Sequence, residues 1–163
     1  MALAKQVLDA INKQINLELA SAYIYDAMGI HFAGEGLKGF AGWMAKQAAE
    51  EKKHAQKFIS FLLDMNEQVR LEAVAAPKQS WESALAVFEN ALAHEKKVTA
   101  SINGIMDAAR KAGDYASINL LDWFIEEQVE EEAIAQGIVD ALRFLADDKG
   151  GIYALSQELG KRE

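Results

Sequence analysis

Four glutamates are notable in this 163-residue chain because each interrupts an otherwise apolar helical pattern. Glu51 begins the motif Glu51-x-x-His54, whose spacing of three residues puts both side chains on one face of a helix. The other three acids are Glu18, Glu95 and Glu131. A carboxylate in a protein core is costly unless it is paired or binds a cation, and no Lys or Arg shares these patterns. The four acids therefore predict a buried metal site.

Charge and ligand type indicate which metal such a site would bind. Four ionised carboxylates are neutralised by two divalent cations, so we expect a dinuclear centre to which His54, Gln128 and Tyr25 add a ligand or hydrogen bonds. Oxygen ligands with one imidazole suit iron or manganese better than zinc or copper, and iron is our first choice. An isolated Glu in such a pattern usually reaches solvent, and an isolated His or Tyr is usually a core residue. Four acids at matching positions favour the metal.

The four acids lie on long segments whose apolar residues recur every three or four positions, as in the helices of a bundle. The chain has one Pro and 11 Gly, which do not recur every ten residues as in a strand-rich fold, and the breaks between these segments contain Gly34, Gly36, Pro77, Gly113 and Gly150-Gly151. We predict four long helices and a short fifth at 4–32, 37–65, 81–111, 114–146 and 152–160. Ser80 is the predicted N-cap of the third helix, while Gly113 ends it and Asp114 caps the fourth. Each acid falls near the middle of its helix.

The lengths of the connections predict the topology. Short links pair the first helix with the second, and the third with the fourth, as antiparallel hairpins. A helix of about 29 residues is about 43 Å long, and an extended 15-residue link spans about 50 Å. The link at 66–80 can therefore run the length of the bundle and place the third helix parallel to the second. A loose loop with those two helices antiparallel is the less favoured alternative.

Composition excludes several classes of function. The net charge is −8, with 17 basic and 25 acidic residues, so we expect no nucleic-acid or anionic-membrane partner. The absence of Cys excludes disulfides, thiolate zinc, iron–sulfur clusters and Cys nucleophiles. No apolar run is long enough for a membrane span, and the first residues do not read as a secretory signal. We expect a cytoplasmic protein.

Five stretches together resemble the non-haem bacterial and archaeal ferritins, a likeness that covers essentially the whole chain. They are NKQINLELASAYIY (12–25), GLKGFAGW (36–43), EEKKH (50–54), HEKKVT (94–99) and LDWFIEEQVEEE (121–132). The resemblance implies a single ferritin-like domain over 1–163, an all-α four-helix bundle with a long crossover between its second and third helices and a short fifth C-terminal helix.

The same resemblance assigns site residues. It implies a ferroxidase centre made of Glu18, Glu51, His54, Glu95, Gln128 and Glu131. It implies a third iron position at Glu50, Glu127 and Glu130. Tyr25 matches a tyrosine near the irons, and Trp123 matches a neighbouring tryptophan. An ordinary solvated acidic face is the alternative interpretation of the third-position glutamates.

Three departures separate this chain from related di-iron proteins. Catalytic di-iron relatives and bacterioferritins repeat E-x-x-H on the last long helix, where this chain has Gln128 and Glu131. The second metal thereby loses a carboxylate and an imidazole ligand and would be bound more weakly. Weaker binding of one iron suits a protein that passes its oxidised product onward. Bacterioferritins place a haem-binding Met where this chain has Lys52, so we expect no haem. Rubrerythrins carry a Cys-rich iron domain, which a chain without Cys does not contain.

The resemblance implies iron storage with ferroxidase activity. Fe(II) and dioxygen would be the substrates, and ferric mineral would collect inside a hollow homo-oligomeric cage of twenty-four subunits. One alternative is a di-iron or di-manganese oxidase or peroxidase that stores no mineral. Another is a purely structural bundle whose acids face water. His31 and His94 have no assigned role and are expected at the surface.

Overall fold

The computed structural model describes residues 3–162, which contain five α-helices. The helices are α1 (Lys5–Gly34), α2 (Lys38–Asp64), α3 (Ala84–Ala112), α4 (Tyr115–Leu145) and α5 (Lys149–Leu159). The expectation of an all-α chain with four long helices and a short fifth is confirmed. Across the described residues, every helix lacks the combination of length and apolar content that crossing a bilayer requires.

The third helix begins later than predicted. Ser83, not Ser80, is its N-cap: the backbone there is extended, and the Ser83 hydroxyl accepts a hydrogen bond from the Ala86 N–H at 3.1 Å. The predicted start at Trp81 was therefore wrong by three residues, because α3 starts at Ala84. Trp81 instead precedes the helix and packs into the core, where the residue is 7% exposed.

The fifth helix begins earlier than its predicted start at residue 152. The Asp148 carboxylate accepts hydrogen bonds from the N–H groups of Gly150 and Gly151, at 3.0 and 3.1 Å. These two glycines therefore form the first turn of α5 instead of interrupting it. The predicted caps between the third and fourth helices are confirmed: Gly113 ends α3 with a φ of 65°, and the Asp114 side chain caps α4. The remaining helix ends lie within two residues of their predicted positions.

The directions of the helices confirm the predicted long crossover. Tyr25 contacts Glu95, and Gln14 contacts Ser101, so α1 and α3 are antiparallel. The short link at 35–37 folds α2 back along α1, against which it packs extensively. Because α2 and α3 are both antiparallel to α1, they run in the same direction. The chain between them must therefore traverse the bundle from end to end.

Two asparagines of α1 attach this crossover to the bundle. The Asn12 side chain donates to the Gln68 carbonyl at 3.1 Å and accepts from the Arg70 N–H at 2.7 Å. One turn later, Asn16 donates to the Arg70 carbonyl and accepts from the Glu72 N–H, both at 2.8 Å. The two amides thereby form hydrogen bonds with the backbone N–H and C=O groups of an extended segment that has no neighbouring strand.

The core is divided into two hydrophobic clusters, one toward each end of the bundle. The first cluster includes Tyr25, Met44, Ala48, Leu92 and Ala135. The second includes Ile15, Phe58, Val98, Ile102 and Phe124. On each long helix, the predicted site residues fall between a member of the first cluster and a member of the second. The fold thus leaves a polar layer at mid-height, enclosed by apolar side chains above and below.

Helix α5 packs against the beginning of α2. Leu37, the N-cap of α2, offers no capping side chain, and the Ser156 hydroxyl of α5 accepts from the Phe40 N–H instead, at 3.0 Å. The backbones approach so closely that a Cβ on Gly39 would lie 1.7 Å from the Ser156 carbonyl oxygen, and one on Gly160 would lie 2.8 Å from the Gly39 Cα. Glycine is therefore required at this contact.

We expect Gly39→Ala to displace α5 and to destabilise the protein by about 2 kcal/mol or more, because the added methyl group overlaps backbone that cannot move aside. Thermal unfolding and limited proteolysis of the C-terminal region would measure the effect. Gly42→Ala is the matched control, since a Cβ there meets nothing within 4 Å and alanine favours a helix. Equal stability of the two variants would contradict the close packing of α5.

Candidate metal centre

The polar layer contains the predicted site residues. Each long helix contributes one buried acid, and the exposed fractions of all six predicted residues are small: Glu18 0%, Glu51 1%, Glu95 1%, Gln128 3%, His54 5% and Glu131 5%. Phe58 and Phe124 stack beneath them with ring centroids 4.0 Å apart. The structure therefore brings together, in a dry interior, the acids that the sequence pattern selects.

Two groups of side chains within this layer have the geometry of a cation site. In the first, one ligand atom each from Glu18, Glu51 and His54 lie within 4.8 Å of one another. In the second, ligand atoms from His54, Glu127 and Glu131 meet the same limit. His54 belongs to both groups, and its Nδ1 atom lies 3.5 Å from Glu51 Oε2. Two neighbouring cation positions with a common imidazole fit this arrangement.

Two buried carboxylate oxygens of the layer accept no hydrogen bond within the described part of the chain. Among the residues that the structure describes, Glu18 Oε2 and Glu51 Oε2 are fully buried and accept no hydrogen bond. An unpaired buried carboxylate oxygen is unfavourable by more than a lost neutral hydrogen bond. Both residues belong to the first cation group, and a metal ion bound there would supply the missing interaction. The donor set, hard oxygens with one imidazole, fits iron or manganese.

The electrostatics of the metal-free layer favour protonated acids. Burial, followed by the neighbouring Glu51 carboxylate, raises the pKa of Glu18 well above its usual value. Burial and the charge of Glu95 likewise raise the pKa of Glu51 well above its usual value, and burial raises that of Glu95. The pKa of Glu131 rises to about 7 for the same two reasons, burial and then the Glu95 charge. A bound cation would reverse this preference by stabilising the ionised forms.

Three buried glutamines orient the acids. The amide N–H groups donate from Gln14 to Glu18 at 2.8 Å, from Gln47 to Glu131 at 2.9 Å and from Gln128 to Glu95 at 3.2 Å. Of these three glutamines, only Gln128 was predicted from the sequence to contribute to the site. A repeated pattern could have identified the other two, because Gln14 and Gln47 each precede an acid of the layer by four residues on the same helix. Each amide holds one oxygen of its carboxylate, and the second oxygen of Glu95 accepts a hydrogen bond from the Tyr25 hydroxyl.

The two predicted aromatic neighbours differ in position. Tyr25 is 1% exposed, and its hydroxyl donates to Glu95. Burial and the Glu95 charge raise the pKa of Tyr25 well above its usual value, so the phenol keeps its proton. Trp123 is 36% exposed and stands edge-on to His54 with ring centroids 5.7 Å apart, while the Lys57 ammonium lies 4.2 Å from its centroid. Tyr25 therefore lies inside the layer, and Trp123 covers it from outside.

The three acids of the expected third position have different environments. Glu127 is half-buried and belongs to the second cation group. Glu50 is also half-buried, but it forms an ion pair with Arg162 at 2.7 Å. Glu130 is exposed on α4 and belongs to neither cation group of the described residues. A shared third site thus requires side-chain movement of Glu50 and Glu130.

The expectation of a surface position was wrong for His94. This side chain is 9% exposed, and its Nε2 atom lies 2.6 Å from the Ser21 hydroxyl, which itself donates to the Leu17 carbonyl. Burial, and then the charge of Lys97, lowers the pKa of His94 to about 4, so the ring is neutral at physiological pH. His94 immediately precedes Glu95 and connects α3 to α1. His31 is half-buried beside Trp81, with ring centroids 5.2 Å apart.

Comparison with known proteins places the whole chain among similar relatives. A family model described as "Ferritin-like domain" matches residues 8–145. The bacterial non-heme ferritin of Staphylococcus aureus is 38% identical over 160 residues, which cover 98% of this chain and 96% of the relative. That of Staphylococcus saprophyticus is 39% identical with the same coverage. An open pore ferritin from Archaeoglobus fulgidus superposes with a TM-score of 0.98 at 41% identity, covering 99% of this chain and 100% of that one.

Proposed function

The chain belongs to the ferritin family, and on this premise we propose that it stores iron by oxidising Fe(II) with dioxygen at the buried acid layer. The ferric product would then move into a hollow oligomeric shell and mineralise there. One observation carries the proposal: among residues 3–162, two buried carboxylate oxygens, on Glu18 and Glu51, accept no hydrogen bond, and both residues belong to a group that can hold a cation.

We assign the two Fe(II) substrates as follows. Glu18, Glu51 and His54 hold the first ion, because their ligand atoms converge. The second ion lies toward Glu95 and Glu131, with Gln128 donating to Glu95 and completing the surroundings. Glu50, Glu127 and Glu130 form a third, weaker position nearer the surface. Tyr25 keeps its proton and orients Glu95 through its hydrogen bond.

The proposed reaction balances with two iron ions and one dioxygen. Each Fe(II) loses one electron, dioxygen gains both electrons, and two protons convert it to hydrogen peroxide. Holding the two ions close together lets both electrons reach the same dioxygen, so that superoxide is not released. The carboxylates stabilise Fe(III) over Fe(II) because its higher charge interacts more strongly with the anionic ligands. The protein thus acts by position and charge.

The ligand set supports storage over a permanent di-metal cofactor. Helix α4 supplies Gln128 and Glu131, and the imidazole of the layer comes from α2. The second ion therefore has fewer strong ligands than the first, and an amide binds a cation more weakly than a carboxylate does. Such an ion leaves more readily once oxidised, as storage requires. A di-iron or di-manganese oxidase remains the second candidate, because the same acids would serve it.

Exposed apolar side chains support an oligomeric shell. Phe144 is 90% exposed, Tyr115 80% and Ile30 75%; the first two lie at opposite ends of α4, and Ile30 lies near the end of α1. Large apolar residues of this kind are usually covered by a partner in the working protein. We propose that the partners are copies of this chain, in a cage of twenty-four subunits. The net charge of −8 per chain would attract Fe(II) to the assembly.

Aerobic iron loading tests the proposal. Fe(II) is added in increments to the metal-free protein, and light scattering, iron content and peroxide are then measured on the soluble particle. Storage predicts that iron accumulates far beyond the number of binding positions and that the particle remains soluble with unchanged outer size. An uptake that stops at two or three irons per chain would instead favour the di-metal enzyme, and an absence of oxidation would favour a structural bundle.

A further inference from the structure

Arg162, the penultimate residue of the chain, makes contacts beside the metal centre that its sequence position does not suggest. Its Nη2 atom donates to Glu50 Oε2 at 2.7 Å, and its Nη1 atom donates to Gln47 Oε1. The guanidinium carbon lies 5.3 Å from the centroid of the Trp43 ring. The side chain is 27% exposed, so the cation is partly removed from water. All three contacted residues belong to α2.

The packing of α5 determines where Arg162 lies. Ser156 caps the first turn of α2, and Gly160 contacts Gly39 backbone to backbone. These contacts place Arg162 beside α2. The Trp43 ring then provides a flat surface for the guanidinium, an arrangement that favours Arg over Lys.

One donor of Arg162 sets the polarity of a buried amide. Gln47 is fully buried and bridges two groups of opposite charge: its oxygen accepts from Arg162, and its N–H donates to Glu131. The reversed amide would place its oxygen against the Glu131 carboxylate and its N–H groups against the guanidinium, and both contacts would be repulsive. Arg162 therefore holds Gln47 in the orientation that positions Glu131.

The second donor of Arg162, Nη2, is hydrogen-bonded to Glu50, one of the acids of the expected third metal position. A guanidinium that is hydrogen-bonded to Glu50 neutralises this carboxylate and places a positive charge where a third metal ion would approach. A third ion must therefore displace Arg162 from Glu50. Glu131, in contrast, keeps one oxygen available while Gln47 holds the other.

From these contacts we propose that Arg162 is a positioning residue that determines the order in which the metal positions fill. Through Gln47, Arg162 preorganises Glu131 to bind the two metal ions of the centre. Through Glu50, Arg162 keeps the third metal position empty until a cation displaces the guanidinium. This inference rests on the proposed function, since it concerns the same metal positions.

Co(II) binding to the metal-free, assembled protein tests the order of filling. Calorimetry and visible absorption distinguish a tightly bound pair from a weaker third ion. We expect Arg162→Ala to raise the affinity for the third Co(II) ion about tenfold, because a charge-assisted hydrogen bond to Glu50 no longer competes with the metal. The same variant should lower the affinity for the first two ions several-fold. Gln47→Leu should lower the affinity for the first two ions and leave the affinity for the third ion unchanged. Arg162→Lys should keep the third ion weak, because it retains the charge, but should weaken the pair, because one ammonium cannot replace the two-armed contact.

Lys161→Ala is the matched control. It removes the same charge from the neighbouring residue, whose side chain pairs with Glu158 at 3.0 Å on the surface, so both affinities should change less than twofold. Identical affinities in Arg162→Ala and Lys161→Ala would overturn the inference. If Arg162→Ala does not assemble, Arg162→Gln is expected to shift the two affinities in the same directions, and unchanged affinities there would overturn it equally. If the unaltered protein binds no Co(II), the proposed function itself fails.

Discussion

Replacing Glu51 by Gln is expected to slow Fe(II) oxidation by at least about 100-fold, because Glu51 lies at the centre of the acid layer. Its carboxylate is 1% exposed and contacts the ligand groups of Glu18 and His54. An amide of the same shape keeps the packing but loses the negative charge that binds the cation. The initial rate of Fe(III) formation in a stopped-flow experiment measures the change.

Glu35→Gln is the control for this prediction. It makes the same chemical change at an exposed position at the end of α1, and the oxidation rate should be unchanged. The metal-free Glu51→Gln protein should also be more stable than the original, since one oxygen of Glu51 is buried without a hydrogen-bond partner among the described residues. A Glu51→Gln variant that oxidises iron at the original rate would disprove the assigned role of the layer.

The metal-free protein is expected to lose stability as the pH rises from about 4.5 to about 7 and beyond, the reverse of ordinary acid denaturation. Glu131 has a raised pKa in the folded state, so the folded protein binds more protons than the unfolded chain across this interval. The favourable contribution is complete below the unfolded pKa and disappears as the pH passes the folded one. For Glu131 alone, a pKa raised from 4.5 to about 7 corresponds to about 3 kcal/mol.

Unfolding of the metal-free protein by urea at several pH values between 5 and 8 measures this dependence. The variant Glu131→Gln is the control: it removes one of the titrating groups, so the pH dependence should become smaller, while the other buried acids maintain its direction. Saturating Zn(II) or Co(II) should restore stability at pH 8, since these ions bind the ionised acids of the folded state only. Stability that rises with pH in the metal-free protein would contradict the burial of the acid layer.

The apolar patterns predicted the fold and the composition of the layer for one physical reason. A helix that buries one face must repeat apolar residues every three or four positions, so an acid within such a pattern is committed to the interior. The four acids and His54 are buried as that reasoning requires. The long crossover was also predictable, because chain length limits how two helices can be joined.

Other features could not be predicted from periodicity. The start of α3 depends on which of two nearby serines caps it, and the outcome was decided by the burial of Trp81. His94 lies beside the apolar face of α3, at a position where the apolar periodicity does not distinguish a surface residue from one that contacts α1. Arg162 meets Glu50 across 112 residues of sequence, through a docking contact that only the folded chain creates.

The division of the core into two clusters has a consequence for local unfolding. Because the apolar clusters are separated by a layer of polar and acidic groups, each end of the bundle can be a cooperative unit of its own, weakly connected to the other. Metal ions would tie the two units together by bridging all four helices at their middle. Amide hydrogen exchange should then slow most, on metal addition, in the central turns of α1 to α4, while the helix ends change little.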